Sequence, residues 1–258
     1  MQGAGLGFAP NPTGLQSREQ TQAKAPGNGP FGGETVMTRV MVCGSTSEED
    51  IALLVEEGVD AIGLITEVWQ PLPCNLPREE ARRLAVLVPP FVTAVLVLTA
   101  EDPEEVCRLV EYVSPGAVQL HGFNPPEHVA LLKARLAVPL IKTLHLDGQR
   151  TAGGQDPERC ARQYLDAGAA AILLDRYHEG KVGATGQPVD LALAARLREA
   201  IAPRPLVLAG GLDPSNVSAA VAEVRPYAVD VFSGVTREGR LDRGRVRAFV
   251  RAVKSARP

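Results

Sequence analysis

Downstream of Arg39 the chain repeats one pattern: a short, mainly apolar run, a break of small or polar residues, then a segment apolar on one face only. The apolar runs are Val40–Cys43, Ala61–Ile65, Val92–Leu98, Ala117–Leu120, Leu140–Thr143, Ala170–Leu174, Leu206–Leu208 and Ala228–Val231. Their near-continuous hydrophobicity, rather than an alternation of apolar and polar, predicts parallel strands buried on both faces. The intervening segments predict helices opened by Ser, Asp or Pro: Ser47–Glu57, Pro77–Val88, Pro103–Tyr112, Pro126–Leu136, Pro157–Ala167, Asp190–Ile201, Pro214–Val224 and Arg243–Val253. The first begins Ser47-Glu-Glu-Asp50, a capping-box pattern. Eight strand–helix units in one chain close naturally into a single (β/α)8 TIM barrel, which needs roughly 250 residues; the chain has 258. A doubly wound open sheet would place a G-x-G-x-x-G turn after its first strand, and Cys43-Gly44-Ser45 carries none.

Residues 1–36 break the pattern. They are rich in Gly, Pro, Ala, Gln and Ser, without apolar periodicity. Such a segment buries too little to offset its ordering entropy and is expected to be a disordered tail before a barrel domain at 37–258. Met37, directly before the first strand, is a candidate translation start.

Composition narrows the function classes. Lys and Arg number 27 against 30 Asp and Glu, a net charge of −3, so no basic field is available for nucleic acid or an anionic membrane. No apolar run reaches the roughly 20 residues that span a bilayer, and the N-terminus lacks the layout of a secretory signal. Cys43, Cys74, Cys107 and Cys160 form no C-x-x-C pair, which predicts free thiols in a reducing cytoplasm. The four histidines are scattered, with no H-E-x-x-H, and no metal site is expected.

Active-site residues of such a barrel sit at the C-terminal ends of strands. Two consecutive strands end in turns of small residues, Gly210-Gly211 and Ser233-Gly234, where backbone N–H groups can approach an anion closely. Their position at the last two strands predicts a phosphate grip. Cys43 ends the first strand and Asp175 the sixth, so the two would face each other over the mouth, a candidate base and a candidate acid. Gln119 and His121 flank the end of the fourth strand, Lys142 lies near the end of the fifth, and Asp230 near the end of the eighth. Gly180, Gly183 and Gly186 punctuate a long loop after Asp175 that would close over substrate.

Several segments, in order, resemble the signatures of phosphoribosylanthranilate isomerase. They are Val42-Cys43-Gly44-Ser45-Thr46 with Glu49-Asp50, Gly58-Val-Asp-Ala-Ile-Gly63, Val118-Gln-Leu-His-Gly122, Leu173-Leu-Asp175, Gly183-Ala-Thr-Gly186, Leu208-Ala-Gly-Gly-Leu-Asp-Pro-Ser-Asn-Val217 and Val224-Arg-Pro-Tyr-Ala-Val-Asp-Val-Phe-Ser-Gly-Val235. The resemblance implies a TIM barrel of tryptophan biosynthesis, a monomer or homodimer acting on a phosphorylated sugar-amine by an Amadori rearrangement, without metal or organic cofactor. It further implies that Cys43 is the general base and Asp175 the general acid. Backbone N–H groups around Gly210, Gly211, Ser233 and Gly234 would hold the phosphate. Gln119, His121, Asp230 and Gly186 would contact the substrate, with Asp230 orienting a sugar hydroxyl.

Three positions depart from the family pattern. Met41 stands where a lysine is usual, Cys74 falls where an arginine would meet the anthranilate carboxylate, and Phe232 replaces the first of two serines. Arg78 and Arg82 are the nearest replacements and are better explained as the solvated face of their helix. These departures predict an altered pocket for the amine. They admit the same isomerisation on another phosphoribosyl amine, or a phosphosugar-binding barrel without catalysis, as alternatives.

Overall fold

In the computed structural model, residues 37–70, 72–178, 181–182 and 189–256 are described. The N-terminal segment, Gly180, Gly183 and Gly186 lie outside them.

Each strand divides its side chains between two cores with the period of two that an extended backbone imposes. In β1 (Arg39–Cys43), Val40 and Val42 join the large cluster between sheet and helices, while Met41 and Cys43 join a smaller cluster inside the ring. The same alternation runs through β2 (Ala61–Ile65), β3 (Thr93–Leu98) and β4 (Ala117–Leu120), whose Ile65, Val95, Val97 and Ala117 also point inward. The other half of the ring comprises β5 (Leu140–Asp147), β6 (Ala171–His178), β7 (Leu206–Leu208) and β8 (Ala228–Val231). It fills the interior with Ala171, Leu173, Val207, Ala209 and Ala228. Neighbouring strands pair in parallel in the order β5-β4-β3-β2-β1-β8-β7-β6, and a further parallel pairing of β5 with β6 closes the ring. The barrel expected from the sequence is therefore present.

Among the described residues, eight helices surround the strands: α1 (Glu48–Glu56), α2 (Arg78–Leu87), α3 (Pro103–Val113), α4 (Pro126–Arg135), α5 (Pro157–Asp166), α6 (Leu191–Ile201), α7 (Val217–Val224) and α8 (Arg243–Ser255). Five carry side-chain N-caps. Ser47, Asp102, Asp156, Asp190 and Asp242 each accept a hydrogen bond from a first-turn N–H, satisfying a donor with no partner inside the helix. The helices bury fully enclosed side chains against the sheet, among them Leu54, Leu84, Leu109, Leu132 and Phe249, each contributing about 1.5–3 kcal/mol.

Three boundaries differ from expectation. β5 continues past Thr143 to Asp147 and turns into an antiparallel hairpin with Arg150–Thr151. β6 continues to His178, where it pairs antiparallel with Lys181–Val182. Local hairpin pairing satisfies backbone groups there that the barrel ladder alone would leave exposed. α7 begins at Val217 rather than Pro214 because Asp213 Oδ1 accepts from the N–H groups of Ser215 and Asn216, holding those residues in a turn. Among the described residues, no helix is long and apolar enough to cross a membrane.

Candidate active site

The C-terminal ends of β1, β4, β5, β6 and β8 bring Cys43, His121, His145, Asp175 and Asp230 to one mouth. Cys43 is buried, and its thiol donates to Asp230 Oδ1 at 3.1 Å across the β1–β8 pairing. Burial, reinforced by the Asp230 charge, pushes the thiol well above the ordinary cysteine range. The same burial raises Asp230 to about 6. At neutral pH the pair is therefore a thiol beside a carboxylate, sharing one proton.

Asp175 is enclosed midway along β6, one residue beyond the pairing with β7, and burial raises its carboxyl to about 7. Its Oδ1 accepts from the Arg176 N–H at 2.7 Å, and its Oδ2 lies 3.6 Å from His121 Nε2. A carboxyl that still carries its proton near neutrality is a competent acid. Burial drives His121 well below its ordinary range and His145 to about 4, so both rings are neutral. Gln119, buried in β4, directs its amide nitrogen at His121 Nδ1 at 3.1 Å, and Thr143 Oγ1 is 3.2 Å from the same atom. Gln119 thus faces the imidazole.

The two glycine turns pack against each other. Gly210 and Gly211 adopt φ of +82° and +66°, backbone that favours glycine. A Cβ on Gly210 would lie 3.2 Å from Asp175 Oδ1, so this turn adjoins the acid. A Cβ on Gly234 would collide with the Leu212 carbonyl, so only glycine lets the loop after β8 rest on the loop after β7. Asn216 braces the assembly, donating to Gly211 O at 2.8 Å and accepting from Asp213 N at 2.9 Å. Ser233 and Gly234 open a short 3₁₀ turn, Ser233–Val235, with Ser233 exposed. The four residues expected to grip phosphate are therefore adjacent and backed by a fixed loop.

Other sequence expectations resolve differently. Lys142 does not reach the mouth. It points into the barrel wall, donating to the carbonyls of Gly122 and Thr143 at 2.6 and 2.9 Å, 5.3 Å from the Tyr164 ring centre. Burial lowers its ammonium to about 7. Cys74 is fully enclosed in the cluster that also holds Met41 and Cys43, with Phe232 packed against it, and burial raises its thiol to about 11. The three departures from the family pattern are thus members of one apolar cluster. Phe232 lies over Gly44 (φ +93°), where a Cβ would meet its ring. Arg78 is engaged by Glu67 and Glu105, and Arg82 stacks over Tyr112, as surface residues. All four cysteines are free and buried. His145 went unnoticed because the strand was expected to stop at Thr143; one further inward position along the same alternation reaches it.

A family model described as N-(5'-phosphoribosyl)anthranilate (PRA) isomerase matches residues 40–252. A curated relative from Natronomonas pharaonis, named N-(5'-phosphoribosyl)anthranilate isomerase, is 42% identical over 217 residues, covering 84% of this chain and 98% of its own. The crystal structure of phosphoribosyl anthranilate isomerase from Thermotoga maritima superposes with a TM-score of 0.71 at 36% identity, over 84% of this chain and 99% of that one. A phosphoribosyl anthranilate isomerase in complex with reduced 1-(o-carboxyphenylamino)-1-deoxyribulose 5-phosphate matches with a TM-score of 0.68 at 35% identity, over 84% and 99% of the two chains. With a closed eight-stranded barrel and a family match over most of its length, the chain belongs to the phosphoribosylanthranilate isomerase family.

Proposed function

We propose that this protein isomerises N-(5'-phosphoribosyl)anthranilate to its 1-deoxyribulose 5-phosphate product, with Asp175 as general acid and Cys43 as general base. The observation that carries the reading is electrostatic. One mouth holds a carboxyl still protonated near neutrality and a thiol hydrogen-bonded to a carboxylate. An aldose-to-ketose rearrangement needs both.

The substrate's phosphate lies against the backbone N–H groups of Gly210, Gly211, Ser233 and Gly234. Asp175 gives its proton to the furanose ring oxygen. The C1–O bond breaks as the amine lone pair forms a C=N bond, leaving an open-chain protonated Schiff base. That cation lowers the cost of a thiolate nearby, so Cys43 passes its proton to Asp230 and removes the proton from C2. The electrons of the C2–H bond form C1=C2 and neutralise the nitrogen. The resulting enolamine tautomerises to the ketone. Asp230 therefore serves the base as well as holding a sugar hydroxyl, and His121 and Gln119 line the acid's side. Each acid or base step contributes roughly 10²–10⁴-fold.

The test is the fluorescence change on adding purified protein to freshly generated phosphoribosylanthranilate, with Cys43→Ala and Asp175→Asn in parallel. Turnover by wild type, lost in both folded variants, is expected. Turnover persisting in either variant would overturn that residue's role, and none by folded wild type would overturn the substrate.

A further inference from the structure

His145 Nδ1 and Gln119 Oε1, which flank His121, are among the buried polar atoms that have no hydrogen-bond partner among the described residues. Each leftover lone pair costs free energy in a water-poor site, and a single occupant uses both. His145 Nε2 lies 2.8 Å from the His121 carbonyl, which can only accept, so Nε2 carries the ring's proton. Nδ1 is then a bare lone pair. Nearby, His121 Nε2 faces Asp175 Oδ2 at 3.6 Å. One ligand atom from each of His121, His145 and Asp175 falls within 4.8 Å of the other two.

We propose that His121, His145 and Asp175 form a site for a divalent transition-metal ion, zinc foremost, with its fourth position open to the barrel mouth. Two imidazole nitrogens and one carboxylate oxygen are a donor set suited to this ion. Bonds of about 2.0–2.2 Å to a tetrahedral ion place neighbouring ligand atoms roughly 3.3–3.5 Å apart. The His121–Asp175 separation of 3.6 Å is already close to this, and side-chain rotations bring in His145. The next shell is complete as well. Imidazole ligands ordinarily donate their other N–H to a carbonyl or carboxylate. His145 already does so, to the His121 backbone. His121 gains the same support if the Gln119 amide turns over, presenting its unpartnered Oε1 to Nδ1–H in place of its nitrogen. Thr143 Oγ1, 3.2 Å from that nitrogen, accepts equally well.

An ion so placed occupies the carboxylate assigned above as the proton donor. Zinc is then an inhibitor of the isomerisation, a consequence that rests on the role proposed for Asp175. Binding itself does not.

The experiment is a titration of the tag-free, full-length protein with Co²⁺, a visible stand-in for zinc. Wild type, His145→Phe, His145→Gln and Cys43→Ala are compared after circular dichroism has confirmed that each is folded. We expect one ion per chain, with ligand-field bands but no thiolate charge-transfer band. Binding should survive in Cys43→Ala and weaken about a hundredfold or more in both His145 variants. Zn²⁺ should displace the cobalt and abolish wild-type turnover reversibly on chelation. Unchanged affinity in the His145 variants, a thiolate band lost with Cys43→Ala, or no binding at excess metal would each overturn the site. None of these outcomes bears on whether metal-free protein isomerises phosphoribosylanthranilate, which the fluorescence assay decides separately.

Discussion

Gly63 of β2 sits directly across the strand pairing from Cys43 of β1, and a methyl group there would occupy the space of the thiol. Its Cβ would also approach Cys43 Cα and Cβ to 3.1 Å, so the whole cysteine would have to move. The missing side chain is what admits a sulfur atom at this height in the ring. Gly63→Ala should cost about 1–3 kcal/mol of stability through overpacking and lower kcat roughly a hundredfold by misplacing the base. Chemical denaturation and steady-state kinetics on the same preparation check both. A folded variant with wild-type kcat would show that the thiol position is not critical.

The acid and base groups set a narrow pH window. Asp230, raised to about 6, must be ionised to take the thiol proton, so kcat/KM should fall as pH drops below about 6. Asp175, raised to about 7, must be protonated to open the ring, so kcat/KM should fall as pH rises above about 7. A bell with its maximum between these values is expected, reporting the pair of limbs rather than isolated residues. In Asp230→Asn the acid limb should disappear along with most of the activity.

Raised carboxyl pKa values also carry a stability cost. Asp175 titrates at about 7 in the folded protein and near 3.9 when unfolded, a value about three units lower. Its favourable contribution is therefore full below about pH 4 and is lost as pH climbs through about 7. Asp175→Asn cannot ionise and keeps an oxygen for the Arg176 N–H. The variant should match wild type in urea unfolding near pH 4 and exceed it by on the order of 3–4 kcal/mol near pH 8. Equal stability at both pH values would mean that Asp175 is not desolvated in the native state. The inactive variant is thus expected to be the more stable one, a familiar cost of a catalytic group.

The parts of this site carried by strand ends were legible in the sequence. Cys43 and Asp175 each close an apolar run, Asp230 lies near the end of another, and strand phase alone points them inward. The glycine turns were legible because Gly210 and Gly211 have no side chain to hide their amides. Lys142 misled for a definite reason. It too lies near a strand end, but one position out of phase, so it faces the wall and donates to the Gly122 and Thr143 carbonyls. His145 was missed because β5 runs on into a hairpin with Arg150–Thr151, a pairing set by neighbouring chain rather than by apolar content. The environment of Cys74 was equally beyond reach. Its enclosure with Met41, Cys43 and Phe232 joins residues of β1, the end of β8 and one loop, and no local pattern encodes that contact.

In the metal-free protein Gln119 sets the form of His121, and that makes a prediction separable from simple packing. The Gln119 amide nitrogen has only hydrogens to offer, so His121 Nδ1 accepts and the ring proton sits on Nε2, facing Asp175 Oδ2. An N–H there steadies the carboxylate left once Asp175 has given up its proton. Gln119→Glu replaces the donor with an acceptor of nearly the same shape. The ring proton is drawn to Nδ1, Asp175 loses that donor, and a negative charge is added nearby. Both changes raise the Asp175 pKa, so the alkaline limb of kcat/KM should move up by about one pH unit while kcat falls. Gln119→Met, which fills the space without fixing either tautomer, should lower kcat with a smaller displacement of the limb. Imidazole ¹⁵N shifts give the reading independent of turnover: an Nε2–H ring in wild type and an Nδ1–H ring in Gln119→Glu. If the Glu and Met variants lose activity equally, with the limb and the tautomer unmoved, Gln119 is a packing residue and no more.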